Sequence, residues 1–215
     1  MKIPKSMTWK YVQFFYLLNY KKLVQNYINN GDKVLEVGSG LGFLKKLILQ
    51  KGGFYSGFEP RLDAYEAATN LYGKDHFYNS QLTENINNSI FDKIIAITVI
   101  DEIADKKKFI NDVKSYSNKN TKIIFIVRNL NFPFRKGSKV WSSYTNLPTE
   151  DLGYSEWVNF FKSEGLDIIS IEKTHRPLIT SFTVNGIKNI LIRFLDIFLP
   201  KKKNHMLCFI LKLSD

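Results

Sequence analysis

The chain has 215 residues, 44% of them hydrophobic, enough for one domain with a substantial core. Its 31 basic against 20 acidic residues give a net charge of +11; arginine stands only at 61, 128, 135, 176 and 193, so the excess reads as a solvated lysine-rich surface ahead of a nucleic-acid patch. The single cysteine, Cys208, excludes an internal disulfide and fits a reducing cytoplasm.

Met1-Lys2-Ile3-Pro4-Lys5 has no continuous apolar core or cleavage site, which points to a cytoplasmic chain. Trp9 to Asn29 patterns as a helix, with aromatics at 9, 11, 14, 15 and 16, and residues 1–30 are expected to form a helical cap. Val34, Leu35 and Val37 then make a short apolar run typical of a buried parallel strand. Gly38, Gly40 and Gly42 let the backbone turn sharply and approach a ligand. Leu44, Leu47 and Ile48 follow at helical spacing. Strand, glycine turn and helix form the nucleotide corner of a doubly wound sheet. A dinucleotide fingerprint would want glycine where Phe43 stands, and a phosphate loop would want Gly-Lys-Ser/Thr, which is absent. Glu36 sits two residues before the first glycine. A carboxylate there repels a pyrophosphate and suits a ligand carrying an ammonium group.

Gly53 to Glu59 reads as a second strand ending in an acid, 19 residues after Gly40, where a carboxylate can accept both ribose hydroxyls. Leu62 to Tyr72 is a helix closed by Gly73. His76 to Tyr78 is a third strand, and Asn79 to Leu82 its C-terminal turn. Phe91 to Ile100 is a buried strand running into Asp101 and Glu102. Lys106 to Tyr116 is a helix, Thr121 to Arg128 a fifth strand, Ser155 to Glu164 a helix, Gly165 to Ile171 a sixth strand and Met206 to Leu213 a seventh. Cys208 lies in that apolar strand and is core rather than nucleophile.

The pattern Glu36-x-Gly38-x-Gly40-x-Gly42 resembles the first motif of class I S-adenosylmethionine-dependent methyltransferases of the small-molecule type. Phe91 to Glu102 is similar to that family's fourth motif, where a Phe-Asp pair opens a strand that ends in a Val-Leu-Glu-His-like turn. Here Glu102 replaces the family's histidine. The resemblance runs roughly from residue 20 to 215. It implies an α/β, Rossmann-like methyltransferase fold, with a mostly parallel seven-stranded sheet, helices on both faces, and a single domain over 1–215. The implied cofactor is S-adenosyl-L-methionine. By the same resemblance, Glu36 and the backbone of Gly38 and Gly40 face its methionine part, and Glu59 takes the ribose. Gln81, where the family more often has an acid, and Leu82 flank adenine, and Ala96, Ile97 and Thr98, placed after the fourth strand, line the sulfonium side. Ser39, Gly42 and Pro60 complete the cofactor positions. Glu59→Ala is expected to weaken cofactor binding with little loss of fold.

Two insertions stand out. Leu130 to Tyr154 is long for a strand-to-helix connection and carries Phe132, Phe134, Arg135, Lys136, Trp141 and Tyr144. It leaves the carboxyl edge of a central strand and is read as a substrate lid over 130–154. The second, 177–203, replaces the hairpin that usually joins the last two strands. Ile187, Ile190, Leu191, Phe194, Leu195 and Phe198 recur there at helical spacing, followed by Lys201-Lys202-Lys203. Packing on the domain or a twin subunit is the expectation, and peripheral membrane contact through 187–203 is the rival.

Methyl transfer is an in-line displacement that holds the acceptor about 3–3.5 Å from the methyl carbon. A hydroxyl or acidic carbon acceptor also needs a general base. Asp101, Glu102, His175 and Tyr144 are the candidates; for the two acids the competing role is to cap the next helix, and for His175 it is surface structure. No metal is expected. A small-molecule acceptor, lipid- or saccharide-linked, is the leading reading. An RNA or DNA methyltransferase rests on charge alone, and a non-catalytic member of the fold would have no need of the intact glycines and acids.

Overall fold

A computed structural model describes residues 20–83, 89–133, 139–141, 148–150, 152–174 and 198–214. Seven strands form the main sheet: β1 (Lys33–Val37), β2 (Phe54–Phe58), β3 (Phe77–Tyr78), β4 (Lys93–Ile97), β5 (Lys122–Arg128), β8 (Leu166–Thr174) and β9 (Met206–Leu213). Their order is β3-β2-β1-β4-β5-β9-β8. Pairing is parallel from β3 to β5, and β9 is antiparallel to both β5 and β8. The chain winds outward from β1 and then returns to place β4 on its other side. At that reversal the two neighbouring loops diverge and leave a crevice beyond the strands' carboxyl ends.

The apolar runs become strands because both faces of the sheet are covered. Residue 20–27 helix (α1), α2 (Phe43–Gln50) and α3 (Leu62–Tyr72) cover one face. Tyr20, Leu23, Val24, Ile28, Leu44, Ile48 and Ala68 pack there on Val34, Ile95, Ile124 and Cys208. The other face carries α4 (Lys106–Ser115) and α5 (Tyr154–Ser163), whose Phe109, Ile110, Val113, Trp157 and Phe161 meet Leu35, Ile94, Phe125 and Phe209. Alternate β1 residues therefore serve opposite faces, Val34 one and Leu35 and Val37 the other. An aromatic stack fixes α5: Phe161 lies 5.7 Å from Phe125, 4.9 Å from Phe209 and 5.4 Å from Trp157, ring centre to centre.

Several boundaries differ from the sequence reading. β3 has only two residues, and β8 runs on to Thr174 because it pairs with β9 along its length, across a bulge between Ile168 and Ser170. Neither Asp101 nor Glu102 caps the next helix: Ile100–Glu102 is a 3₁₀ turn, and Asp105 caps α4 by accepting the Lys108 N–H at 2.9 Å. Asp92, of the Phe-Asp pair, accepts the Lys33 N–H at 2.7 Å and so ties the start of β4 to β1.

The long excursion contains a hairpin, β6 (Lys139–Trp141) against β7 (Pro148–Glu150). Its foot is closed by the Leu130 N–H donating to Leu152 O at 3.0 Å, and β7 neighbours the Ile100–Glu102 turn. The helix expected before residue 20, Arg135, Tyr144, His175 and all but the end of the segment 187–199 expected to be helical lie outside the described residues. Among the described residues no helix is long and apolar enough to cross a membrane.

Candidate active site

The three glycines of the first turn have φ of 66°, 54° and 70° at Gly38, Gly40 and Gly42. This left-handed region penalises any side chain with a Cβ. Space adds a second demand at Gly42, where a Cβ would lie 2.5 Å from the Phe77 ring. At Gly40 a Cβ would meet nothing within 4 Å. The turn is thus packed against β3 and α3 on one side and open on the other.

Two buried acids flank it. Glu59, fully buried at the end of β2, reaches across to the turn. Its Oε2 accepts the Gly40 N–H at 2.7 Å, its Oε1 accepts the Arg61 N–H at 2.9 Å, and the Arg61 Nε lies 3.5 Å away. Asn79 donates to the Glu59 carbonyl at 2.9 Å, which holds the turn after β3 against the end of β2. Glu36 points to the α1–α3 face and accepts the Tyr55 hydroxyl at 2.7 Å. Burial pushes its carboxyl up to about 8, against the hydrogen bond from Tyr55 and with help from the nearby charge of Glu59. The Tyr55 ring explains Gly57: a Cβ there would sit 2.3 Å from the phenolic oxygen.

Beyond the carboxyl ends of β1, β2 and β4 lies a cavity of about 240 Å³. Its apolar wall is Val37, Phe58, Leu82, Val99, Ile103 and Phe109. Gly38, Pro60 and Gln81 border it, and Glu102, Asp105, Lys108 and Asp112 supply its charges. Of the expected cofactor positions, Gly38, Pro60, Gln81 and Leu82 therefore face one space. Glu36, Ser39 and Glu59 are buried and do not line it, Glu36 being turned to the α1–α3 face against Tyr55. Ala96 and Ile97 require correction. Both lie within β4, not after it, and Ala96 is sealed in the core between Val37 and Phe125, its partners in register. Thr98 is the first residue past β4. It has φ of 54°, rare for a β-branched residue, while its N–H donates to Ile126 O at 2.8 Å.

The acids after β4 separate in role. Asp101 is fully buried and away from the cavity wall, with Oδ2 2.6 Å from the Arg128 Nε. Arg128 also donates from Nη2 to Asp101 O at 3.3 Å, and its Nη1 lies 3.5 Å from Glu102 Oε1. Trp157 of α5 fixes the same arginine by donating to its carbonyl at 3.0 Å. Burial raises the Asp101 carboxyl above its ordinary range, and the Arg128 charge opposes that rise. Glu102 alone among the four base candidates is both described and on the cavity. His205, at the same edge of the sheet, sets its ring edge-on to Phe132, with ring centres 4.8 Å apart. Among the described residues no group of three His, Cys, Asp or Glu side chains could hold a metal ion.

Sequence reasoning did not single out Tyr55, Val99 after β4, Asp105 or Phe109 for the site. Phe109 signals only helix-face burial, and the Tyr55–Gly57 spacing is the one local hint that a ring lies over a glycine.

A family model described as a methyltransferase domain matches residues 9–169, most of the chain. The chain belongs to that methyltransferase family. Solved structures share the fold at low identity. A methyltransferase from Mesorhizobium loti has a TM-score of 0.67 at 11% identity, over 90% of this chain and 97% of its own. The Burkholderia thailandensis 1,6-didemethyltoxoflavin-N1-methyltransferase has 0.63 at 10%, over 100% and 94%. A chain from the Haloferax volcanii complex of the Trm112 methyltransferase activator with a methyltransferase has 0.64 at 11%, over 94% and 96%. No curated protein matches the sequence. The methyltransferase has the mostly parallel seven-stranded Rossmann-like sheet of class I and uses S-adenosylmethionine.

Proposed function

We propose that this methyltransferase acts on a small-molecule acceptor, lipid- or saccharide-linked, and binds its cofactor across the glycine turn and the adjoining cavity. The observation that carries the reading is an apolar-walled cavity at the β1–β4 reversal, bordered by Gly38 and Pro60, the neighbours in sequence of the hydrogen-bonded Gly40 and Glu59.

The residues present fit S-adenosylmethionine. Gly40 is open where a ligand would approach. Each Glu59 oxygen accepts one backbone N–H and keeps a lone pair for a ribose hydroxyl. Phe58, Leu82 and Val99 offer an apolar slot to a purine, and the Gln81 amide can both donate and accept at its edge. Burial favours the neutral form of Glu36, and an ammonium group brought near it would draw it toward the carboxylate. The bound cofactor supplies a methyl carbon on a positively charged sulfur. The protein's part is then to orient, to exclude water and to take a proton. Glu102 at the cavity is the base we favour, held by the Arg128 contact. The 130–154 excursion acts as the lid, because its hairpin neighbours the turn that carries Glu102.

A small acceptor is favoured over a nucleic acid by the charges on the cavity wall, where Glu102, Asp105 and Asp112 face Lys108 alone. The Burkholderia relative was crystallised with 1,6-didemethyltoxoflavin and S-adenosylhomocysteine, a small acceptor and the spent cofactor. We place the enzyme in the cytoplasm on its lone buried thiol. Calorimetric titration with S-adenosylmethionine and S-adenosylhomocysteine should give one site per chain. Absence of heat with both ligands, on folded protein, overturns the reading.

A further inference from the structure

The 3₁₀ turn Lys201–Lys203 has no part in the site described so far. All three lysines are exposed, and none has a carboxylate partner among the described residues. Such a turn would ordinarily wander, yet this one is anchored from below by two fully buried amides. Asn129 donates to Lys202 O at 3.1 Å and to Asn204 O at 2.7 Å. Asn204 in turn reaches Thr174 O at 3.3 Å, at the end of β8.

Register fixes where the turn points. Met206 pairs with Arg128, the last residue of β5, so the chain before it projects past the carboxyl edge of the sheet. That is the edge that holds the cavity. Two residues before Pro200, Phe198 is 73% exposed, the most exposed large apolar side chain among the described residues. An aromatic side chain this exposed, three to five residues from three clustered cations, suits a boundary between water and acyl chains. It does not suit recognition of a small anion, whose countercharge would belong inside the cavity, and the cavity wall is mostly acidic.

From this we infer that Phe198 and Lys201–Lys203 form a docking surface for an anionic phospholipid bilayer, which turns the carboxyl edge of the sheet toward the membrane. The docking does not depend on the identity of the acceptor. It deepens the functional reading by making an amphiphilic acceptor, delivered from the bilayer, the fitting substrate class.

The test is co-sedimentation of the full chain with vesicles of phosphatidylcholine alone and of phosphatidylcholine mixed with phosphatidylglycerol. Each lysine near an anionic surface contributes roughly fivefold in affinity, so replacing all three with Gln should weaken binding to the mixed vesicles about 100-fold. Added salt should weaken the wild type in the same direction. Phe198→Ala should weaken binding to mixed vesicles while leaving its salt dependence in place. S-adenosylhomocysteine affinity and thermal unfolding of the lysine variant should match the wild type, because the three side chains are exposed. Three outcomes overturn the inference: no binding to mixed vesicles, equal binding to both vesicle types, or undiminished binding by the lysine variant. A single-stranded RNA that displaces the vesicles through the same lysines assigns the turn to nucleic acid and also overturns it. Loss of cofactor binding in the wild type would sink the methyltransferase site and leave the vesicle result standing.

Discussion

Glu59 holds the glycine turn before it holds any ligand. Its carboxylate accepts two backbone N–H groups, from Gly40 and Arg61, inside the protein. The sequence-based expectation that Glu59→Ala spares the fold therefore needs revision. Orphaned buried donors cost about 1–3 kcal/mol each. We expect Glu59→Ala to lose stability by that order in denaturant titration and to weaken S-adenosylmethionine binding as well. Glu59→Gln, which keeps an acceptor oxygen, should recover part of both. Glu36 gives a pH signature. Its folded-state carboxyl is raised to about 8 from an ordinary 4.5, so its contribution to stability is complete below the ordinary value and is lost as pH rises toward 8. The slope approaches 1.4 kcal/mol per pH unit at most. Urea unfolding between these limits should show stability falling with pH, and Glu36→Gln should flatten the fall. Residues of this kind were only partly legible in sequence. Gly38, Gly40 and Gly42 were legible because positive φ leaves few choices but glycine. Nothing about Thr98 announces the same conformation, so its strain emerges only from the fold.

The Ile100–Glu102 turn is the element on which the site depends, and its stability comes from β5 and α5. Arg128 closes β5, pairs with Asp101 at 2.6 Å and is itself fixed through its carbonyl by Trp157. Removing the guanidinium strands a buried carboxylate whose Oδ1 already has no hydrogen-bond partner among the described residues. Arg128→Ala should cost about 3–5 kcal/mol, read by chemical denaturation. The double replacement Asp101→Asn with Arg128→Met should cost clearly less, because it leaves no charge on the fully buried Asp101 position, and the part-exposed Glu102 keeps access to water. Strands and helices of the central sheet were legible because apolar runs and helical spacing are local. The Asp101–Arg128 pair was not, since 27 residues separate its members and only strand order unites them. The same holds for Phe109, which reads as ordinary helix core until the cavity is seen to end on it.

For the molecule as a whole, strand order puts the glycine turn, the β4 turn and the foot of the 130–154 excursion at one edge. The excursion is closed at its base by the Leu130–Leu152 hydrogen bond, so it can be cut without pulling on β5 or α5. Replacing residues 133–151 with a short turn should leave S-adenosylhomocysteine affinity within about threefold and abolish methyl transfer, because water then reaches the reacting centre. Retained transfer would assign the excursion a role away from the active centre.

The buried single cysteine lends the molecule an internal clock. Cys208 lies mid-strand in β9, paired in register with Ile126 on one side and Glu172 on the other. It is 2% exposed, and burial pushes its thiol up to about 12. The native protein offers almost no thiolate to an alkylating reagent at neutral pH. Alkylation has to wait until β9 parts from its neighbours, so at reagent concentrations that outpace reclosing the labelling rate times that parting, and at lower concentrations it reports the population of the open form.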